Sequence, residues 1–245
     1  MRRVLVCSVL SLALAFGVGI NSASATLFLS GDNNIVNPLN AGNRYGEPID
    51  TGNQQFFTNI LQGGTSVTIL ESMEVTFNND VNTFYNSLAG VSSTLISGTV
   101  TAADLAGTDL FISLLPTDAF SASEIMAFDD FLSGGGSIFF LGQNDNFPTQ
   151  NAYINDALAA LGSGMSIVND LFDAGFHTAT GGQIATDPFT EGVSTFTYAG
   201  PSQVALVNGG TNLFFGTGGQ PFVAYEEIVD RSKAMPWIPL LLFSD

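Results

Sequence analysis

Apolar positions along this chain follow two different periods, and the period changes near residue 164. Before that point, short apolar runs alternate with segments in which apolar residues recur every three or four positions. Residues 26–30 form a run stopped by Gly31, and residues 66–70, 93–96, 109–115 and 137–141 form four more. Runs of that length bounded by turn residues predict buried strands, and the nearly unbroken 109–115 run predicts a strand covered on both faces. Between the strands, Phe56, Phe57, Ile60 and Leu61 predict a helix stopped by Gly63 and Gly64. Val81, Phe84, Tyr85 and Leu88 predict a second, capped by Asn79 or Asp80 and ended at Gly90. Ser121 and Glu124 have capping-box spacing ahead of the stripe Ile125, Phe128, Phe131 and Leu132, which Gly134, Gly135 and Gly136 end. Ile154, Leu158 and Leu161 mark a further helix stopped at Gly162. The polar stretch 32–52 reads as a long surface loop.

Beyond Gly164 the helical period is lost. Runs at 194–198, 204–207, 213–215 and 222–225 are separated by Gly, Asn and Pro, which predicts antiparallel strands extending or capping a sheet. Alternating strands and helices followed by such runs predict an α/β fold. Its sheet is mostly parallel with helices on both faces, and extra antiparallel strands occupy the C-terminal third. Residues 26–230 are expected to form one domain.

The two ends of the chain carry different signals. Arg2 and Arg3, the apolar run 4–20 and Ala23-Ser24-Ala25 have the order of a secretory signal, so residues 1–25 are expected to be cleaved after Ala25 on export. Cleavage would remove Cys7, the one cysteine, and leave no stable membrane span. Residues 231–245 form a short apolar segment. Two readings of it stand, a final strand at 238–243 or the remnant of a sorting tail.

Charge narrows the partners. Five Lys+Arg face 22 Asp+Glu, a formal net charge of −17. Nucleic acid needs clustered cations and is not an expected partner; extracellular polysaccharide or cell-surface components are.

The segment SASEIMAFDDFLSGGGSIFFLG at 121–142 and DPFTEGVSTFTYAG at 187–200 resemble the class I glutamine amidotransferase-like superfamily, in its non-catalytic, trehalose-utilisation-type branch. LFLSGDNN at 27–34 with PIDTGNQQFF at 48–57 resembles secreted bacterial proteins that carry a proline-glutamate-proline C-terminal sorting tail. The first resemblance implies a flavodoxin-like, amidotransferase-like scaffold. Catalytic members place a cysteine just after the strand matching 137–141, with a His–Glu pair later. Here that elbow reads Gly142-Gln143-Asn144-Asp145, and His177 is followed by Thr178 and Ala179. Pro236-Trp237-Ile238-Pro239 has no Glu between its prolines. The resemblance therefore implies a scaffold without amidotransferase chemistry.

In open α/β sheets ligands bind beyond the carboxyl ends of the strands. Asp32, Asn33, Asp118, Gln143, Asn144 and Asp145 follow predicted strands and are the candidate ligand-binding residues. Their carboxylates and amides suit Ca²⁺, which takes six to eight oxygens, or the hydroxyls of a sugar. The same residue types also serve as helix caps and turn formers. Two functions follow: a secreted or surface-associated, non-enzymatic protein binding a carbohydrate or a cation, or a secreted hydrolase using rim acids or His177.

Overall fold

The computed structural model describes residues 25–37, 49–207 and 209–228. The expected signal segment, apart from its last residue Ala25, and the apolar segment 231–245 lie outside the described residues, as does Cys7.

The apolar runs become strands β1 (Thr26–Ser30), β2 (Ser66–Leu70), β3 (Ser92–Ile96), β4 (Leu110–Leu114) and β5 (Ser137–Leu141). The periodic segments become helices α1 (Thr51–Asn59), α2 (Val75–Ser87), α3 (Ala122–Ser133) and α4 (Pro148–Ala160). Later come β6 (Met165–Ile167), β7 (Phe176–Thr180), β8 (Thr195–Ala199), β9 (Val204–Leu206), β10 (Thr211–Phe215) and β11 (Pro221–Glu227). The main sheet has seven strands in the order β10-β11-β1-β5-β4-β2-β3. Its five early strands run parallel, whereas β11 joins β1 antiparallel and β10 joins β11 antiparallel. β6–β9 and β7–β8 are separate two-stranded antiparallel sheets. The fold is thus α/β, mostly parallel, with antiparallel additions in the C-terminal part.

Alternation along each strand sorts the core into two layers. Phe28, Ile69, Ile112 and Phe139 pack with Phe56 and Phe57 of α1 and Phe84 and Tyr85 of α2. Leu27, Leu29, Phe111, Ile138 and Phe140 pack on the opposite face with Phe128 of α3 and Leu158 of α4. Phe128 is fully buried, its ring 5.1 Å from Phe111, 5.2 Å from Phe120 and 6.0 Å from Phe140. The capping box of α3 forms in full. The Ser121 N–H donates to Glu124 Oε2 (2.8 Å), and the Glu124 N–H donates to Ser121 Oγ (3.4 Å).

Two expectations are corrected, and two strands come as additions. α2 starts at Val75, after Glu74, so Asn79 and Asp80 lie inside the helix rather than capping it. Ser72 Oγ accepts the Glu74 N–H (3.2 Å) and donates to Asn78 Oδ1 (3.3 Å), which fixes the earlier start. The stretch 32–52 is not all surface loop: Asn33–Val36 forms a 3-10 turn, and Ile35, Val36 and Ile49 are buried against the α1 layer. Strands β6 and β7 were not legible at all. Met165–Ile167 is only three residues long, and Phe176–Thr180 carries the exposed Phe176 and one buried residue, Ala179.

Candidate functional site

α1 and α2 lie on one face of the sheet and α3 and α4 on the other. The chain leaves β1 and β2 toward the first face and β4 and β5 toward the second. Two neighbouring pairs of parallel strands therefore part in opposite directions at their carboxyl ends, β1 with β5 and β2 with β4. Each pair opens a crevice of the kind in which α/β sheets hold ligands.

The β1/β5 crevice contains four of the six candidates, and the protein fills it with its own backbone. Asp32 follows β1 and is fully buried. Its Oδ1 accepts the Asn34 N–H (2.8 Å) and its Oδ2 accepts the Ala199 N–H (2.7 Å). Asn34 Nδ2 donates to the Ala199 carbonyl (3.1 Å). Asn33 Oδ1 accepts from Gln143 Nε2 (2.6 Å), Gln143 Oε1 accepts the Asn144 N–H (2.9 Å), and Asn144 Nδ2 donates to the Gly200 carbonyl (2.8 Å). The Ser202 N–H donates to the Gly31 carbonyl (2.8 Å), and a Cβ on Gly31 would fall on the Ser202 carbonyl, so only glycine admits that strap. Burial pushes the Asp32 carboxyl up to about 7, against the N–H groups of Ala199 and Asn34 and the side chains of Asn34 and Gln143, which favour its charged form. The groups expected to receive a ligand receive residues 199–202 instead.

Helical asparagines repeat this logic elsewhere. Asn53 on α1 accepts the Thr197 N–H and donates to the Thr197 carbonyl, both at 2.7 Å, in place of a strand beside β8. Asn86 on α2 does the same for Ser93 on β3 (2.9 and 3.1 Å), and Asn155 on α4 for Ile167 on β6 (2.8 and 2.9 Å). Asn151 on α4 brackets Gln143 in the same way (2.9 and 2.5 Å). A carboxamide sets an acceptor oxygen beside a donor NH₂, the complement of one residue's backbone, with a second N–H to spare.

The β2/β4 crevice stays open. It encloses about 310 Å³, and its walls include Glu71, Thr99, Thr117, Asp118, Phe120 and Ser121. Glu71 and Asp118 are exposed. Thr117 Oγ1 donates to Asp118 Oδ2 (3.2 Å). Phe120 is half-buried, seated on Phe128 (5.2 Å) and Phe140 (5.6 Å). Glu124 also borders the space, but its oxygens are engaged by the Ser121 cap and by the Val100 N–H (3.0 Å). A larger recess of about 730 Å³ lies along residues 181–194. It is folded from the one chain segment that joins β7 to β8, and its Asp187 is engaged by the Phe189 N–H (2.9 Å) and the Tyr225 hydroxyl (3.0 Å). The β2/β4 crevice is the better candidate, because the segments leaving two parallel strands part around it and its acids face solvent.

The six candidates therefore separate. Asp32, Asn33, Gln143 and Asn144 share one internal network, Asp118 belongs to the open crevice, and Asp145 is exposed in the loop after β5. Among the described residues no three His, Cys, Asp or Glu side chains are grouped to hold a metal ion. His177 on β7 stacks over Tyr198 on β8 (5.6 Å between centroids), and its Nε2 lies 3.3 Å from the Ala174 carbonyl. Nearby Asp173 accepts from the Tyr198 hydroxyl (2.7 Å), the Thr217 N–H (2.7 Å) and the Thr217 hydroxyl. Burial pushes that carboxyl up, but these bonds and the His177 charge together hold it below the usual carboxylate range. Thr99 and Phe120 were missed as site residues, and Glu71, which follows a predicted strand, stood outside the candidate set. Which strand ends are neighbours across a switch in direction was the signal needed, and that is a property of strand order.

No protein-family model matches this chain, and no curated protein matches it. Among solved structures, the mmIFT52 N-terminal domain is similar at 17% identity over 57% of this chain and 73% of that one, with a TM-score of 0.46. IMPa from Pseudomonas aeruginosa in complex with an O-glycopeptide is similar at 17% identity over 56% of this chain and 15% of that one, with a TM-score of 0.36. Among the described residues no helix is long and apolar enough to cross a membrane.

Proposed function

We propose that this chain is a secreted or surface-associated, non-enzymatic binding protein on an amidotransferase-like scaffold. Its ligand, a neutral hydroxyl-rich carbohydrate unit, enters the β2/β4 crevice. One observation carries the reading: of two crevices with similar chemistry, this one leaves its carboxylates and hydroxyls facing solvent beside the half-buried Phe120. Exposed carboxylates accept sugar hydroxyls, and an aromatic ring packs against the apolar face of a pyranose. The net charge of −17 disfavours an anionic ligand that has no basic clamp. Ca²⁺ is the second ligand class that Glu71 and Asp118 suit. Two candidates of the hydrolase alternative are engaged, Asp32 by enclosure and His177 by packing on Tyr198, whereas Asp118 stays exposed.

Titration calorimetry against neutral oligosaccharides, with CaCl₂ as a separate titrant, tests this reading. Binding should weaken at least tenfold in Glu71→Gln and Asp118→Asn and persist in Asp145→Asn. Millimolar Ca²⁺, if it is the ligand, should raise the melting temperature with concentration, because a ligand bound only by the native state stabilises it by mass action. Reproducible glycan turnover abolished by His177→Ala would overturn the non-enzymatic reading. N-terminal sequencing of the exported protein should begin Thr26-Leu27-Phe28; retention of Arg2 would refute cleavage.

A further inference from the structure

Among the described residues, β7 lacks the amide cap that Asn53, Asn86 and Asn155 supply to β8, β3 and β6. In an antiparallel pair, opposed residues alternate between those that exchange hydrogen bonds and those that face outward. Thr197 and Ala199 on β8 give their N–H and carbonyl groups to Asn53, Asp32 and Asn34, so they face away from β7. Their partners Thr178 and Phe176 must then face away from β8. By that alternation the Thr178 N–H and carbonyl point away from β8, while the Thr180 N–H reaches Gln183 Oε1 at 3.3 Å. Phe176 is 58% exposed, and Thr178 and Thr180 share its face and its exposure.

Charge argues for what meets this edge. Residues 174–186 contain no Asp or Glu, in a chain with 22 acids and a net charge of −17. Asp173, just before the strip, is turned onto Tyr198 and Thr217. Two copies can therefore align along β7 without opposing carboxylates from the strip itself.

We propose that β7 is a self-pairing edge, joining two copies of this chain antiparallel about a twofold axis at Thr178. The outward groups then fall in register. Thr178 exchanges two hydrogen bonds with Thr178 of the second copy, and each Phe176 lies across from the other copy's Thr180. The interface is isologous and closes at two chains. Five residues a side bury far less than the roughly 1,200–2,000 Å² of a stable complex, so the dimer is weak and exchanges with monomer.

Sedimentation velocity on the purified protein, from micromolar to about 1 mM, reads this directly. The weight-average mass should climb from one chain toward two. Phe176→Asp, at an exposed position, should hold the protein monomeric throughout with an unchanged far-UV spectrum. Thr178→Pro, which removes the central donor from an outward-facing edge position, should do the same. Thr178→Cys in a Cys7→Ser background should yield a disulfide-linked dimer on mild oxidation, because hydrogen-bonded opposed residues sit about 5.5 Å apart. A protein that stays monomeric at every concentration overturns the proposal. So does a dimer that survives both Phe176→Asp and Thr178→Pro.

Discussion

The two crevices at the carboxyl edge of the sheet are built from the same ingredients and end in opposite states. Each lies between parallel strands that part toward opposite faces, and each is rimmed by short polar residues. Between β1 and β5, residues 199–202 come back from the C-terminal part and satisfy Asp32, Asn144 and Gly31. Between β2 and β4 no such strap arrives among the described residues, and Glu71 and Asp118 face solvent. Polar residues at strand ends are thus equally suited to bind a ligand and to bind the chain. What separates the two uses is whether a later segment reaches them.

The largest expected effect concerns the floor of the open crevice. Phe128→Ala should lower unfolding free energy by about 3–5 kcal/mol, since that ring is fully buried between Phe111 and Phe140 and supports Phe120. Urea denaturation reads it, and a near-zero loss would mean that the crevice has no rigid floor. The closed crevice should break next. Asp32→Ala removes the acceptor of the buried Ala199 N–H and of the part-buried Asn34 N–H, which should cost about 2–4 kcal/mol and open the strap, seen as faster amide exchange at residues 199–202. Equal exchange in variant and parent would show that the strap is held by something else.

The pH dependence sharpens the contrast. The native Asp32 carboxyl lies near 7 against an ordinary 3.8, with burial as the cause, so between those values the native state keeps a proton that the unfolded chain has released. Stability contributed by this group is highest below about pH 4 and falls as pH rises toward 7. Asp80, pushed up to about 6 by burial, acts in the same direction. Asp173 acts oppositely: it is held low despite its burial, and its contribution is lost as pH falls through its native value. Thermal melts from pH 4 to 8 should show a downward slope that Asp32→Asn flattens; an unchanged slope in that variant would remove the enclosed-carboxyl account. Smaller effects belong to the open side. Ser121→Ala should cost about 1 kcal/mol through the lost cap, and Asp118→Asn less than about 0.5 kcal/mol because its carboxyl is exposed. A large loss at Asp118 would mean that this crevice, too, is internally engaged.

How much was legible follows from the range of the interactions. Strands β1, β2, β4 and β5 and helices α1, α3 and α4 announce themselves in local periodicity, and the Ser121–Glu124 box needs only three residues of chain. α2 was read one turn short, because its start depends on Ser72 and Asn78 rather than on the apolar stripe. β7 was missed because its order comes from β8, and β8 is held by Asn53, 144 residues away from Thr197. The candidate site was half legible. All six residues follow a strand as expected, yet the sequence offered no means of telling Asp32 from Asp118.

By itself, then, the sequence determined the alternation of strands and helices, the two-layer core and the polar character of the strand ends. Each of these is set by side-chain chemistry acting over a few residues, with burial as the common driving force. Only the tertiary structure decided that β11 would pair with β1 and that residues 199–202 would close one crevice and leave the other open. Those outcomes depend on hydrogen bonds between groups as far apart as Asp32 and Ala199, 167 residues along the chain. A buried acceptor must find a donor somewhere, but the rule that it must does not say where.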